Sequence, residues 1–107
     1  MVVTVFRSRL NPANLDEYYQ TAGRMSEMAR TMPGYVSHKS FTAEDGERVT
    51  IVEFADEASQ EAWRTRLEHL QAQQRGRREF YTEYKLQVCS VLRESAFTAP
   101  KGEKVPG

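Results

Sequence analysis

Strand-like and helix-like segments follow one another along this 107-residue chain in the order strand, helix, strand, strand, helix, strand. The strand-like runs are Val2 to Leu10, Tyr35 to Thr42, Glu47 to Ala55 and Tyr84 to Arg93, and the helices run from Asn11 to Met32 and from about residue 57 to about residue 75. This order is the split βαβ arrangement, in which two helices pack on one face of a four-stranded antiparallel sheet. The sequence therefore predicts an α+β, ferredoxin-like βαββαβ sandwich in one domain, residues 1–94, with a C-terminal tail, residues 95–107.

The dipeptide Asp45-Gly46 lies between two strand-like runs and indicates a hairpin. If the loop has two residues, His38 and Glu53 lie directly opposite each other and form a histidine–carboxylate pair. If a bulge forms at Gly46, the register shifts by one residue and the two side chains separate. The sequence leaves both registers open.

Three of the strand-like runs carry apolar side chains on both faces. The opposed sets are Val3/Val5 against Phe6, Val49/Ile51 against Val52/Phe54, and Leu86/Val88 against Val91. Because the helices cover only one face of the sheet, a lone sandwich would leave the second set in water. We therefore expect a homodimer that pairs the open sheet faces.

Charge and cysteine content restrict the partners of the chain. The 15 lysine and arginine residues equal the 15 aspartate and glutamate residues, which argues against a nucleic-acid partner. No apolar run approaches the ~20 residues that span a bilayer, so we expect no membrane partner and a cytoplasmic protein. A single cysteine and two histidines far apart in sequence form no metal-ligand motif, and we expect no metal.

The second helix carries polar residues on its apolar side. At ~100° per residue, the apolar arc of residues 57–81 holds Ala58, Ala62, Trp63, Leu67, Leu70, Phe80 and Tyr81. The opposite arc, which includes Arg64 and Glu68, is expected to face solvent. Inside the apolar arc lie Arg66, His69, Gln73 and Arg77. They indicate either a pocket between helix and sheet or polar groups that find partners at the edge of the core.

Several of these residues resemble a known family. Trp63, His69, Gln73, Gly76-Arg77 and the aromatic-rich run from Phe80 to Tyr84 resemble the second helix and last strand of the antibiotic biosynthesis monooxygenase family. The resemblance spans about residues 2–94 and includes Pro33-Gly34-Tyr35-Val36 and Val52-Glu53-Phe54. It implies a dimeric α+β barrel. It also implies an activity of that family, whose members include cofactor-free oxygenases of anthrones, quinol oxygenases and haem-degrading enzymes.

The haem-degrading branch of that family relies on an asparagine in the first strand and on a tryptophan and a histidine in the second helix. Trp63 stands at the tryptophan position, but Phe6 stands at the asparagine position and Gln73 at the histidine position. Because glutamine is a poor iron ligand, we expect no axial haem site and no other cofactor.

The sequence thus favours a cofactor-independent monooxygenase that oxidises a small aromatic substrate, a phenol, quinol or anthrone, with O₂. We expect His69 to be the base, Trp63 an aromatic wall and Gln73 a donor, which makes these three the catalytic candidates. The candidate substrate-binding residues are Arg66, Arg77, Phe80, Tyr81, His38 and Glu53. The alternative is a non-catalytic dimer that binds a small aromatic or hydrophobic metabolite.

Overall fold

The computed structural model describes residues 1–74, 77–100 and 102, and the side chains of these residues apart from those in the range 69–78. Its elements are β1 (Val2–Leu10), a 3₁₀ turn (Pro12–Asn14), α1 (Leu15–Thr31), β2 (Tyr35–Thr42), β3 (Arg48–Phe54), α2 (Glu57–Gln74), α3 (Arg77–Phe80) and β4 (Tyr81–Ser90). The strands form one antiparallel sheet in the order β2-β3-β1-β4. The predicted ferredoxin-like α+β sandwich is confirmed.

The last strand begins three residues earlier than its alternating pattern predicted. Tyr81 already pairs with Leu10 of β1, across a register shift near Arg9. The backbone N–H of Asn11 also donates to the Phe80 carbonyl at 2.8 Å. These contacts hold the chain against β1 from residue 80 onward, so Tyr81 belongs to β4 and not to the second helix.

The polar side chains at the start of α1 attach it to the end of α3. Asn11 Oδ1 accepts a hydrogen bond from the Ala13 backbone N–H at 3.1 Å, which caps the 3₁₀ turn. The side-chain amides of Asn11 and Asn14 both donate to the Glu79 carbonyl, at 3.2 and 2.6 Å. The beginning of the first helix and the approach to β4 are therefore fixed to each other.

Two clusters of buried side chains form the core between the helices and the sheet. The first contains Ala29, Val52, Phe54 and Trp63, and the second contains Tyr18, Phe80 and Tyr81. Phe54 and Phe80 have no exposed surface. Members of both clusters line the cavity described below.

The two faces of the sheet have different surroundings. Val52 and Phe54 of β3 face the helices and are buried, as is Thr4, the partner of Val52 on β1. Val5 and Ile51 pair with each other on the opposite face and are only half-buried. An apolar strip therefore remains on the side that the helices do not cover. None of the helices in the described part of the chain is long and apolar enough to cross a membrane.

Candidate functional site

A cavity of about 170 Å³ lies between the helices and the sheet. The sheet contributes Phe6, His38, Ser40, Arg48, Thr50, Val52, Tyr81, Tyr84 and Leu86, and the helices contribute Tyr18, Ala22, Met25, Ser26, Ala29, Trp63, Arg64, Leu67 and Glu68. The register explains the sheet side, because Phe6 pairs with Thr50 and His38 with Val52, which puts these four on the helix-facing surface. Most of the lining is apolar or aromatic, as in sites that bind small organic ligands.

Aromatic rings form one side of the cavity. The ring of Tyr81 packs edge-on against Phe6 with centroids 5.4 Å apart, and against Tyr18 at 5.7 Å. Tyr84 completes the group, with its centroid 5.7 Å from that of Phe6. Phe80 lies behind these rings, fully buried and outside the cavity lining. Such a wall suits a flat aromatic ligand, since ring–ring contacts add to the burial of apolar area.

Trp63 lines the other end of the cavity. Its indole is 7% exposed and packs against Phe54 with centroids 5.5 Å apart. The indole Nε1 is buried and has no hydrogen-bond partner among the described residues. A buried donor without an acceptor costs free energy, so a ligand oxygen that reached it would bind with a gain.

His38 lies in the cavity wall, held by two hydroxyl groups. Its Nδ1 is 2.7 Å from the Tyr35 hydroxyl, and its Nε2 is 3.2 Å from Ser26 Oγ. Burial lowers the pKa of His38 below its ordinary 6.5, and the positive charge of Arg30 acts in the same direction. The imidazole is therefore neutral near pH 7, which is the form that can accept a proton.

The hairpin register separates His38 from Glu53. The Ala43 N–H donates to the Glu47 carbonyl at 2.8 Å, which leaves a three-residue loop with Gly46 at φ +91°. The residue opposite Glu53 is then Ser37, whose hydroxyl donates to Glu53 Oε1 at 3.0 Å. The histidine–carboxylate pair does not form, and Glu53 lies on the side of the sheet away from the cavity.

The buried face of α2 differs from the one that the sequence predicted. Arg66 is exposed and outside the cavity lining, contrary to the expectation from the apolar arc. Arg64 and Glu68, expected in solvent, line the cavity and form an ion pair at 3.4 Å. The prediction was wrong because Ala58 and Ala62 were counted as core and are exposed, whereas Gln60 is buried.

The remaining predicted site residues are His69, Gln73 and Arg77, and their side chains lie outside the described residues. Of the residues proposed from the sequence, the structure brings Trp63, Tyr81 and His38 together around one cavity. Sequence reasoning missed Ser26 and Arg48, which also line it. The hydroxyl of Ser26 lies on a helix of otherwise apolar periodicity, and that is the one signal that could have identified it. Among the described residues, no group of three or more histidine, cysteine or acidic side chains could hold a metal ion.

Comparison with known proteins agrees with this architecture. The family model described as antibiotic biosynthesis monooxygenase matches residues 1–75. A Bacillus subtilis relative, named uncharacterized protein YqjZ, is 30% identical over 93 residues, which cover 87% of this chain and 82% of the relative.

Two solved structures share the fold. Rv0793 from Mycobacterium tuberculosis has a TM-score of 0.74 at 19% identity and covers 89% of this chain and 98% of its own. SnoaB from Streptomyces nogalater, described as a cofactor-independent oxygenase, has a TM-score of 0.69 at 16% identity and covers 87% of this chain and 94% of its own.

Proposed function

Because the chain belongs to the antibiotic biosynthesis monooxygenase family, we propose that it is a monooxygenase that oxidises a small electron-rich phenol or quinol with O₂. The observation that carries this proposal is the aromatic-walled cavity with a neutral histidine in its wall. An apolar enclosure and a proton acceptor are the two things that this chemistry requires of a protein.

The size of the cavity favours a one-ring substrate. Its volume is about 170 Å³, and an apolar protein cavity of roughly 150 Å³ accommodates benzene. A three-ring anthrone would exceed this volume and would have to extend through the open side of the cavity. We therefore propose a hydroquinone-type substrate and not an anthrone.

The reaction converts a hydroquinone and O₂ into a hydroxyquinone and water. Loss of a hydroxyl proton gives an electron-rich anion, which passes one electron to O₂, and the two radicals then join at a ring carbon. The ring hydroperoxide that results loses water, so that one oxygen atom remains on the ring as a carbonyl oxygen. The proton taken at the start leaves in that water, and the four electrons that reduce O₂ all come from the substrate.

His38 is the proton acceptor in this proposal, acting through Ser26. When His38 Nδ1 donates to the Tyr35 hydroxyl, Nε2 can accept the proton of Ser26 Oγ, and Ser26 takes the substrate's proton in turn. Trp63 forms an aromatic wall beside the substrate in this proposal. The roles predicted for His69, Gln73 and Arg77 stay predictions.

We propose the homodimer as the working form of the protein. The apolar strip on the open sheet face contains Val5, Val49 and Ile51, all half-buried, together with Phe41, which is 48% exposed. A second copy of the same face would cover it, and a two-fold contact is the simplest way to pair one surface with itself.

The test is oxygen uptake with a panel of hydroquinones of one to three rings. We expect saturable uptake with the one-ring members, one O₂ per substrate, a hydroxyquinone product and no hydrogen peroxide. An oxygen-uptake rate equal to that without protein would refute the monooxygenase activity. If the hydroquinones bind without being oxidised, the protein is the non-catalytic binding protein. One hydrogen peroxide formed per O₂ would indicate an oxidase.

A further inference from the structure

The cavity has a cation at one end that forms no ion pair with any acid in the described ranges. Arg48 is the first residue of β3 and lines the cavity. Its guanidinium carbon lies 5.9 Å from the ring centroids of both Tyr18 and Tyr19. Within the described part of the chain, Arg48 forms no ion pair with a carboxylate.

Other arginines of the sheet and the cavity are neutralised. Arg7 pairs with Glu47 at 2.9 Å, and Arg9 pairs with Asp45 at 2.9 Å and with Glu83 at 3.0 Å. The second arginine in the cavity wall, Arg64, pairs with Glu68 at 3.4 Å. Among the described residues that line the cavity, Arg48 is therefore the one cation without an acidic partner.

The guanidinium of Arg48 lies within cation–π range of two tyrosine rings that stand at 68° to each other. The contact is with the faces of the rings, so the N–H groups of the guanidinium stay free to meet an acceptor in the guanidinium plane. A carboxylate matches the fork of the guanidinium with two parallel, charge-assisted hydrogen bonds. Arg48 can thus receive an anion that the described part of the chain does not supply.

We propose that Arg48 binds a carboxylate substituent on the aromatic substrate, so that the ligand of this cavity is an aromatic acid. The direction of the ligand follows from the strand. Arg48, Thr50 and Val52 follow one another on the cavity side of β3, and His38 lies opposite Val52. The carboxylate therefore lies at the Arg48 end, and the hydroxyl group that is to lose its proton lies toward His38.

The inference rests on the proposed function for the electron-rich ring, but its test measures binding without turnover. The probes are 4-hydroxybenzoate and its neutral isostere 4-hydroxybenzamide, which differ in charge and hardly in shape. The chain has one tryptophan, Trp63, and it lines the cavity, so its fluorescence reports binding directly. Calorimetry on the same samples provides an independent dissociation constant.

We expect the wild-type protein to bind the acid at least about tenfold more tightly than the amide. Arg48→Met should raise the dissociation constant of the acid by about tenfold to a hundredfold and change that of the amide by less than about threefold. Arg48→Lys keeps the charge without the fork and should retain part of the preference. The matched control is Arg24→Met, which removes an exposed arginine of α1 outside the cavity lining and should behave as wild type.

Two results would overturn the proposal: a wild-type protein that does not prefer the acid, or an acid preference that survives in Arg48→Met. If circular dichroism shows that Arg48→Met does not fold, the test uses Arg48→Lys. An undiminished acid preference in Arg48→Lys refutes the bidentate contact. If the protein shows no oxygen uptake, the proposed oxygenase activity is refuted, but the ratio of the two dissociation constants still tests the Arg48 contact. A wild-type protein that shows oxygen uptake but does not prefer the acid refutes the Arg48 contact alone.

Discussion

His38 lies directly opposite Val52 across the β2–β3 pair, and Ser37 lies opposite Glu53. This one-residue difference in register decides which surface the imidazole faces, because successive side chains of a strand point to opposite sides. With His38 on the helix-facing side, its ring nitrogens meet the hydroxyls of Tyr35 and Ser26 instead of a carboxylate. The nearest acid across the hairpin is left on the other side of the sheet.

The first prediction follows from that register. His38→Ala should lower kcat for hydroquinone oxidation by about a hundredfold or more, the usual contribution of a positioned general base. Oxygen uptake under saturating substrate measures the effect, with circular dichroism as the check on folding. Glu53→Gln is the matched comparison, since it alters the carboxylate of the alternative register, and we expect its kcat to stay near wild type. A large loss in Glu53→Gln with little change in His38→Ala would contradict this assignment.

The sequence was sufficient for the hairpin strands but not for their register. β2 has the predicted bounds, Tyr35–Thr42, because β-branched and aromatic residues run between turn signals. The register depended on whether Gly46 adopts a positive φ inside a three-residue loop, and Asp-Gly is compatible with both loop types. Only the backbone path of the folded chain distinguishes the two.

The face of α2 could not be read from its sequence for a different reason. Trp63 was correctly expected in the core, but the alanines of this helix contribute too little apolar area to define a direction. Phe80, which lies beyond the end of α2, added weight to the wrong side. The buried face is displaced by about one residue position, ~100° around the axis. Arg64 and Glu68 consequently line the cavity in place of Arg66.

The second prediction concerns the pH dependence of stability. Because burial lowers the pKa of His38 in the folded chain, the unfolded chain binds more protons below pH about 6.5, and the free energy of unfolding falls as the pH falls through that region. Asp45, Glu47 and Asp56 also have lowered pKa values, but their ordinary values are 3.8–4.5, so their stabilisation is lost only in more acidic solution.

Urea unfolding of wild type and His38→Gln between pH 5 and pH 8 measures this effect. We expect wild type to lose stability relative to His38→Gln as the pH falls, because glutamine does not titrate. Any contribution from His69 is common to both proteins and cancels in the difference. Parallel stability curves across the whole range would show that His38 titrates normally in the folded state.

The third prediction concerns the unpaired indole nitrogen of Trp63. Trp63→Phe retains an aromatic ring but removes a buried donor that has no partner among the described residues. Removing that donor offsets part of the lost packing, so the cost should be about 1 to 2 kcal/mol, against about 3 to 5 kcal/mol for Trp63→Ala. If the indole donates to a substrate oxygen, Trp63→Phe also raises KM. Equal losses of stability in the two variants would mean that ring packing is not the main term.

The fourth prediction compares two glycines with positive φ. Gly34 has φ +80°, and a Cβ there would collide with the Ser59 side chain. Gly46 has φ +91°, and the nearest atom to its Cβ would be Arg9 Nη1 at 4.0 Å. Gly46→Ala should therefore cost only the backbone strain, about 1 to 2 kcal/mol, and Gly34→Ala clearly more. Thermal unfolding of both variants tests the order, and equal costs would mean that Ser59 moves aside freely.

The fifth prediction concerns the open face of the sheet. Ile51 lies in the middle of the apolar strip, paired with Val5 on one side and Lys39 on the other. If two copies join through this face, Ile51→Glu removes apolar area from the contact and buries a charged group beside Lys39, which should raise the dimer dissociation constant by about tenfold or more. Ala62→Glu adds the same charge at an exposed position of α2, on the helical side of the sheet, and should leave the dimer unchanged.

Sedimentation velocity at micromolar concentration separates monomer from dimer, with circular dichroism to show that each variant is folded. A wild-type monomer under these conditions would contradict the pairing, as would an Ile51→Glu variant that stays as dimeric as Ala62→Glu.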